Sequence, residues 1–274
     1  VELYRHNTLA LVSTIFVAAL VLVALCAQWI APWNPAAQDL ALRLNGPTRA
    51  HWLGCDELGR DVLSRIIYGT RISITVSVVV MLVSFLVGGY LGAVGGYFNG
   101  TLDRMLNVVL INSFLAFPGV LLAIAFIAFL GPGLGKLVLA LSLIGWVGYA
   151  RLARGQFMKV KELDFVTAAI ASGAGSGRVI FHHMIPNAIQ PVIVQACLGM
   201  ANTILAEATL SFLGLGVPPP TPSWGSMLND GRIHLFDASH LVIFPAIAVM
   251  VAVLSFNFLG DSLRDFFDIK GETW

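Results

Sequence analysis

Lys161-Glu-Leu-Asp-Phe-Val-Thr-Ala-Ala-Ile-Ala-Ser-Gly-Ala-Gly-Ser-Gly-Arg-Val-Ile-Phe-His-His-Met-Ile-Pro186 is a polar, glycine-broken segment between two long apolar runs. It belongs outside a bilayer, yet it is not a plain loop. Residues 165–171 predict a short helix, Gly173 to Gly177 a break, and residues 178–185 a second short helix stopped by Pro186. A structured elbow of this length between two apolar runs predicts a surface that grips a partner.

The rest of the chain fits that placement. Of 274 residues 57% are hydrophobic and 11% charged, with a mean hydropathy of +0.83. A soluble domain carries about 25% charged residues, so this chain lacks the polar surface to dissolve itself. A formal charge of +1 gives no broad attraction to nucleic acid. Cys26, Cys55 and Cys197 are far apart, form no metal-binding spacing and leave no disulfide framework. The first apolar run is too long for a signal-peptide core and reads as a retained span.

A helix needs about 20 apolar residues to cross roughly 30 Å of hydrocarbon. Six runs qualify: 9–30, 73–96, 105–130, 137–157, 188–212 and 241–260. The expectation is an all-α polytopic membrane protein with six transmembrane helices. It divides into residues 1–30, an outer segment 31–72, a core 73–260 carrying the elbow 161–186, and a tail 261–274. Six spans put both termini on one side. With the N-terminus inside, nine Lys and Arg lie inside, Arg5 and Lys270 among them, and seven outside, a bias that only leans towards that orientation. Gly88, Gly92 and Gly96 form a stripe at four-residue spacing, predicting close helix packing. Pro118 and Pro245 predict bends.

Polar residues inside the spans are few. Gln195, Asn202 and Glu207 share the fifth run. Two readings stand for Glu207, an interhelical or loop anchor and a pathway lining, because a buried carboxylate must face protein or water. Asn107, Asn112 and Asn257 read as helix–helix hydrogen bonds. No chain of buried acids points to ion-coupled transport, so the energy for transport is expected from a partner. Gly131-Pro-Gly-Leu-Gly-Lys136 fails as a phosphate loop, with Leu130 at the first glycine and Leu137 at the magnesium-binding hydroxyl. No catalytic set is present. His51, His234 and His240 read as structural, and His182 and His183 as surface or docking residues.

The elbow resembles a known family. Type I ABC importers carry the pattern E-A-A-x3-G-x9-I-x-L-P in their membrane subunits. Thr167, Ala168, Ala169, Gly173, His183, Ile185 and Pro186 fit that spacing, with Thr167 where glutamate is usual and His183 where isoleucine is usual. These departures are similar to the branch importing dipeptides, oligopeptides, glutathione and nickel. The segments His51 to Arg65, Leu210 to Gly216, Pro222 to Leu228 and Phe256 to Asp265 are also family-like, so the resemblance covers nearly the whole chain. It looks like the C-type permease subunit.

The resemblance implies the type I permease fold, a non-catalytic subunit, and an elbow serving as cytoplasmic coupling helices. It implies a second permease subunit, two ATPase subunits holding ATP and magnesium, and an extracytoplasmic substrate-binding protein. This chain itself would hold no cofactor or metal. It implies a bacterial cytoplasmic membrane, with the elbow and both termini cytoplasmic and residues 31–72 and 214–240 outside. There, Trp224 and Pro218, Pro219, Pro220 and Pro222 predict a stiff cap or re-entrant segment. The cargo would be small peptides, nickel or a metal chelate. The short N-terminus and residues 39–54 lean towards nickel-type members. The rival readings are an autonomous secondary carrier or channel, which needs an ion-coupling site, and an intramembrane enzyme, which needs a catalytic set.

Overall fold

The computed structural model describes residues 8–98 and 100–271, apart from the side chains of residues 108 and 268–271. Arg5 and the Lys270 side chain of the charge count lie outside the described residues. The helices are α1 (Thr8–Ile30), α2 (Val62–Phe98), α3 (Gly100–Leu115), α4 (Gly119–Leu130), α5 (Leu134–Lys161), α6 (Asp164–Ala171), α7 (Ser176–Phe212), α8 (Trp224–Gly231) and α9 (His240–Gly271). No strand occurs among the described residues.

Five helices are each long and apolar enough to cross a membrane, and α3 with α4 makes a sixth span bent by 79°. Contacts at both ends establish that the bent pair runs the full depth of the bundle. At the elbow end, Arg154 of α5 donates from Nε and Nη2 to the two carboxylate oxygens of Asp103, each at 2.6 Å. At the far end, the Gly133 amide just after α4 donates to the Gly216 carbonyl beyond α7. The bend falls at Ala116–Pro118, where the proline lacks an amide and its ring crowds the preceding turn. Pro245, by contrast, sits within an unbroken α9. Asn107 bonds Asp103 one turn back on its own helix, not a neighbouring helix as expected from sequence.

Several helices outrun their apolar windows. At 1.5 Å per residue, the 37 residues of α2 reach about 55 Å, well past the hydrocarbon thickness. Asp61 starts this helix by accepting the Ser64 amide at 2.8 Å, an N-cap. The segment 62–72, assigned by polarity to the outer loop, is therefore the first three turns of α2. A hydrophobic window ends where lipid ends, whereas the helix ends where its cap lies.

The deepest helix packing is α2 on α5. A Cβ at Gly88 or Gly92 would overlap the carbonyl oxygens of Trp146 and Ala150, and one at Gly96 would lie 2.7 Å from Phe157 Cβ. The glycine stripe thus brings two backbones into contact over three turns, which is how helices gain dispersion energy where lipid removes the hydrophobic drive. A second core joins α1, α2, α7 and α9 through Ala24, Ile74, Ile204, Ala208, Ala252 and Phe256.

The far-end cap is tied together by side-chain contacts. Trp224 opens α8 fully buried, donating Nε1–H to the Ile66 carbonyl at 3.1 Å beside Gly69. The Ser223 hydroxyl caps α8 by accepting the Ser226 amide. Asp56 binds the guanidinium groups of Arg60 and Arg65, and Asp230 of α8 lies 3.5 Å from Arg65. Burial pushes the Asp230 carboxyl above the usual carboxylate range, against the pull of Arg65 and Arg60. The arginines that blurred the charge count are thus partly consumed in tying residues 56–65 to α8.

Cys55 is enclosed in this cap. Burial and the nearby carboxylates of Asp61, Asp56 and Asp39 push its thiol up to about 11. At pH 8 about one thiol in a thousand is then thiolate. Cys55 is expected to resist iodoacetamide at pH 8 until the protein is denatured, as read by mass spectrometry. Rapid alkylation of the native subunit would contradict this enclosure.

Candidate functional sites: the elbow and a membrane cavity

The elbow is built from within by three fully buried side chains, Val166 of α6 and Val179 and Met184 of α7. They pack with Phe157, Val160 and Ala188, and with Tyr97 at the foot of α2. Lys161 adds a hydrogen bond from Nζ to the Tyr97 carbonyl at 2.6 Å and sits over that ring. These anchors join the elbow to α2, α5 and α7. Sequence reasoning missed them because each is one apolar residue in a mixed segment. Their only signal was the helical spacing that hides Val166 between exposed Phe165 and Thr167.

Thr167 and Ala168 are exposed on α6, and Ala169 is half-buried. Gly173 closes the helix in the left-handed region, with φ +84°. Its amide donates to the Ile170 carbonyl and that of Ala174 to the Ala169 carbonyl, the paired bonds of a Schellman cap. Gly175 has φ −65° and ψ 152°, a conformation open to any residue, so only one of the two glycines is needed for the turn. His183 lies half-buried with its ring 6.4 Å from that of Phe165, bringing the two arms of the elbow together. Leu163, Phe165, Ile170 and Phe181 leave apolar surface uncovered around Thr167 and Ala168.

Pro186 does not stop the second arm. The helix runs from Ser176 through Pro186 to Phe212, with Ile185 half-buried and Pro186 exposed. Val179–Met184 forms a π-helical stretch in which the Ile185 amide reaches back to the Ile180 carbonyl. The widened turn just before the proline gives room for its ring and missing donor. The second arm is thus the first part of α7, not a separate helix.

The polar residues of the fifth run divide. Gln195 and Asn202 line a cavity of about 270 Å³ between α2, α4, α5 and α7, with Ser84, Tyr149 and Thr203. Its walls carry amide, hydroxyl and apolar groups but no Asp, Glu, Lys, Arg or His. Glu207 is not in that wall. It is fully buried, and its two carboxylate oxygens accept the hydroxyls of Ser73 at 2.8 Å and Ser211 at 2.7 Å. Of the two readings the sequence left open, these contacts support that of an anchor, tying α7 to α2. Among the described residues no three His, Cys, Asp or Glu side chains converge as a metal site. His51 meets Asp61 at 2.9 Å instead.

Residues 84–270 match the family of binding-protein-dependent transport system inner membrane components. Residues 3–47 match the N-terminal transmembrane domain of oligopeptide transport permease C. The chain is 40% identical over 266 residues to the dipeptide transport system permease protein DppC of Alkalihalophilus pseudofirmus, covering 97% of this chain and 87% of that one. It is 40% identical over 268 residues to the glutathione transport system permease protein GsiD of Pectobacterium atrosepticum, covering 97% and 89%. An Escherichia coli glutathione transport system permease protein GsiD is 38% identical over 268 residues, covering 97% and 88%. The chain belongs to the binding-protein-dependent transport system inner membrane components, as a non-catalytic permease subunit of an ABC importer.

Proposed function

We propose that this subunit helps move short peptides into a bacterium across the cytoplasmic membrane. It would pair with a second permease, take cargo from an extracytoplasmic binding protein, and be driven by two ATPase subunits holding ATP and magnesium. The observation that carries the reading is the elbow. A docking face around Thr167, Ala168, Ala169 and Gly173 is held by a buried apolar seat on α2, α5 and α7. A rigid seat turns movement of an ATPase into movement of spans, and alternating access follows as rigid-body rocking. His183, Ile185 and Pro186 complete the grip from the second arm, which continues without a break into the span of α7. In this reading the elbow and both termini are cytoplasmic.

The peptide cargo rests on two supports. Named relatives transport dipeptides or glutathione. The cavity offers the amides of Gln195 and Asn202 and the hydroxyls of Thr203, Ser84 and Tyr149, which suit a peptide backbone. Nickel, favoured by the N-terminal likeness, calls for imidazole, thiolate or carboxylate ligands, and the cavity wall supplies none of these.

The test is uptake into proteoliposomes holding this subunit, its second permease, both ATPases and the binding protein. Labelled dipeptide or glutathione is expected to enter only with ATP and the binding protein present. Uptake by this chain alone would establish the autonomous carrier instead. Uptake confined to nickel would overturn the peptide assignment.

A further inference from the structure

Tyr149 separates two spaces along α7. On its far-end side lies the polar-walled cavity. On its elbow side lies an apolar groove of about 490 Å³, bordered by Phe85 and Gly89 of α2, Ala153 and Phe157 of α5, and Ile185 and Val192 of α7. Tyr149, Ala153 and Val192 form one packed cluster with Phe85 against it, Tyr149 lining the cavity and the other three the groove.

The Tyr149 ring is 4% exposed yet lightly held. Its hydroxyl reaches the Gln195 carbonyl at 3.4 Å, near the limit for a hydrogen bond. Its edge meets Phe85 at 6.2 Å between centroids. Its tip rests in a niche made by Gly199, where any Cβ would overlap the hydroxyl. The ring is therefore seated by shape, and a small shift of α7 against α5 removes the seat.

The two halves of this contact hang from the two arms of the elbow. Tyr149 is carried by α5, which leads through Lys161 into α6, whereas Gln195 and Gly199 are carried by α7, whose first turns are the second arm. A displacement of the elbow that shears α5 against α7 acts at the plane where the ring sits. Resting on the pathway reading of the cavity, we propose that Tyr149 is the gate between the cavity and the elbow-side groove. Gly199 is its latch, and the ring leaves that niche as the two helices slide.

The test uses the complete transporter in membrane vesicles with Cys26 and Cys197 replaced by alanine. Asn202→Cys reports the cavity and Val192→Cys the far side of the ring, probed by a membrane-impermeant maleimide from the binding-protein side during ATP turnover. Asn202→Cys is expected to label. Val192→Cys is expected to stay unlabelled with Tyr149 or Tyr149→Phe, and to label to the level of Asn202→Cys with Tyr149→Ala. Gly199→Ala, one methyl that evicts the ring, is expected to do the same and carries the test if Tyr149→Ala fails to insert. Equal labelling of Val192→Cys with and without the ring, or none in either, overturns the gate alone. Labelling with Tyr149→Phe as strong as with Tyr149→Ala overturns it too. An Asn202→Cys that never labels removes the pathway reading and the gate with it.

Discussion

Gly92→Leu is expected to remove folded subunit from the membrane. A Cβ at Gly92 would overlap the Ala150 carbonyl and lie 2.8 Å from Ala153 Cβ. Those atoms belong to the α5 backbone or sit directly on it, so no change of rotamer relieves the clash. Relief requires α2 and α5 to part along the glycine stripe, losing contacts at Gly88 and Gly96 as well. Overpacking usually costs 1–3 kcal/mol, and a separation of this kind places the cost at about 3 kcal/mol or more. Gly89→Leu is the matched control, because a Cβ at Gly89 meets nothing within 4 Å. The expected readout is loss of inserted Gly92→Leu subunit and of its thermal transition in detergent, with Gly89→Leu close to the parent. Equal amounts and equal melting of the two variants would refute the backbone-contact account.

Gly173→Pro is expected to abolish uptake while leaving insertion intact. Proline fixes φ near −65°, whereas Gly173 has φ +84°, and proline lacks the amide that bonds the Ile170 carbonyl. The Schellman cap of α6 is lost, and with it the angle between the two arms. Gly173→Ala keeps the amide and pays only the left-handed penalty of about 1–2 kcal/mol, so partial uptake is expected. Gly175→Ala, at a position with ordinary backbone angles, is expected to transport normally. A bulky residue at half-buried Ala169 should act like Gly173→Pro by blocking the docking face. The measurement is ATP-driven uptake per inserted subunit, with co-purified ATPase as the second readout. Full uptake by Gly173→Pro would remove the elbow from the transport mechanism.

Much of this was legible in the residues. Apolar runs located the spans, because lipid demands about 20 apolar residues per crossing. The glycines at 88, 92 and 96 announced a close helix contact, though not its partner, since small residues at four-residue spacing share one helix face. The turn at Gly173 followed from glycine's access to positive φ. What stayed hidden depends on local backbone geometry or on partners distant in sequence. Nothing near Pro186 reveals that a π-helical turn absorbs it and lets α7 continue. Asp61 reads as one more outer charge until its oxygen is seen capping α2. The role of Glu207 was open because Ser73, 134 residues away, decides it. Val166, Val179 and Met184 become an anchor only once α6 folds back onto α5 and α7.

The most direct test of the central claim is a cross-link from the elbow. Thr167 is exposed on α6, and Cys55 is enclosed, so Thr167→Cys with Cys26 and Cys197 replaced offers one reactive thiol. In the assembled transporter a short thiol cross-linker is expected to join residue 167 to an ATPase subunit bearing a cysteine in its docking groove. Closing that link should stop ATP-driven uptake, and cleaving it should restore uptake. Failure to link to any ATPase cysteine, in a transporter that takes up cargo normally, would contradict the account.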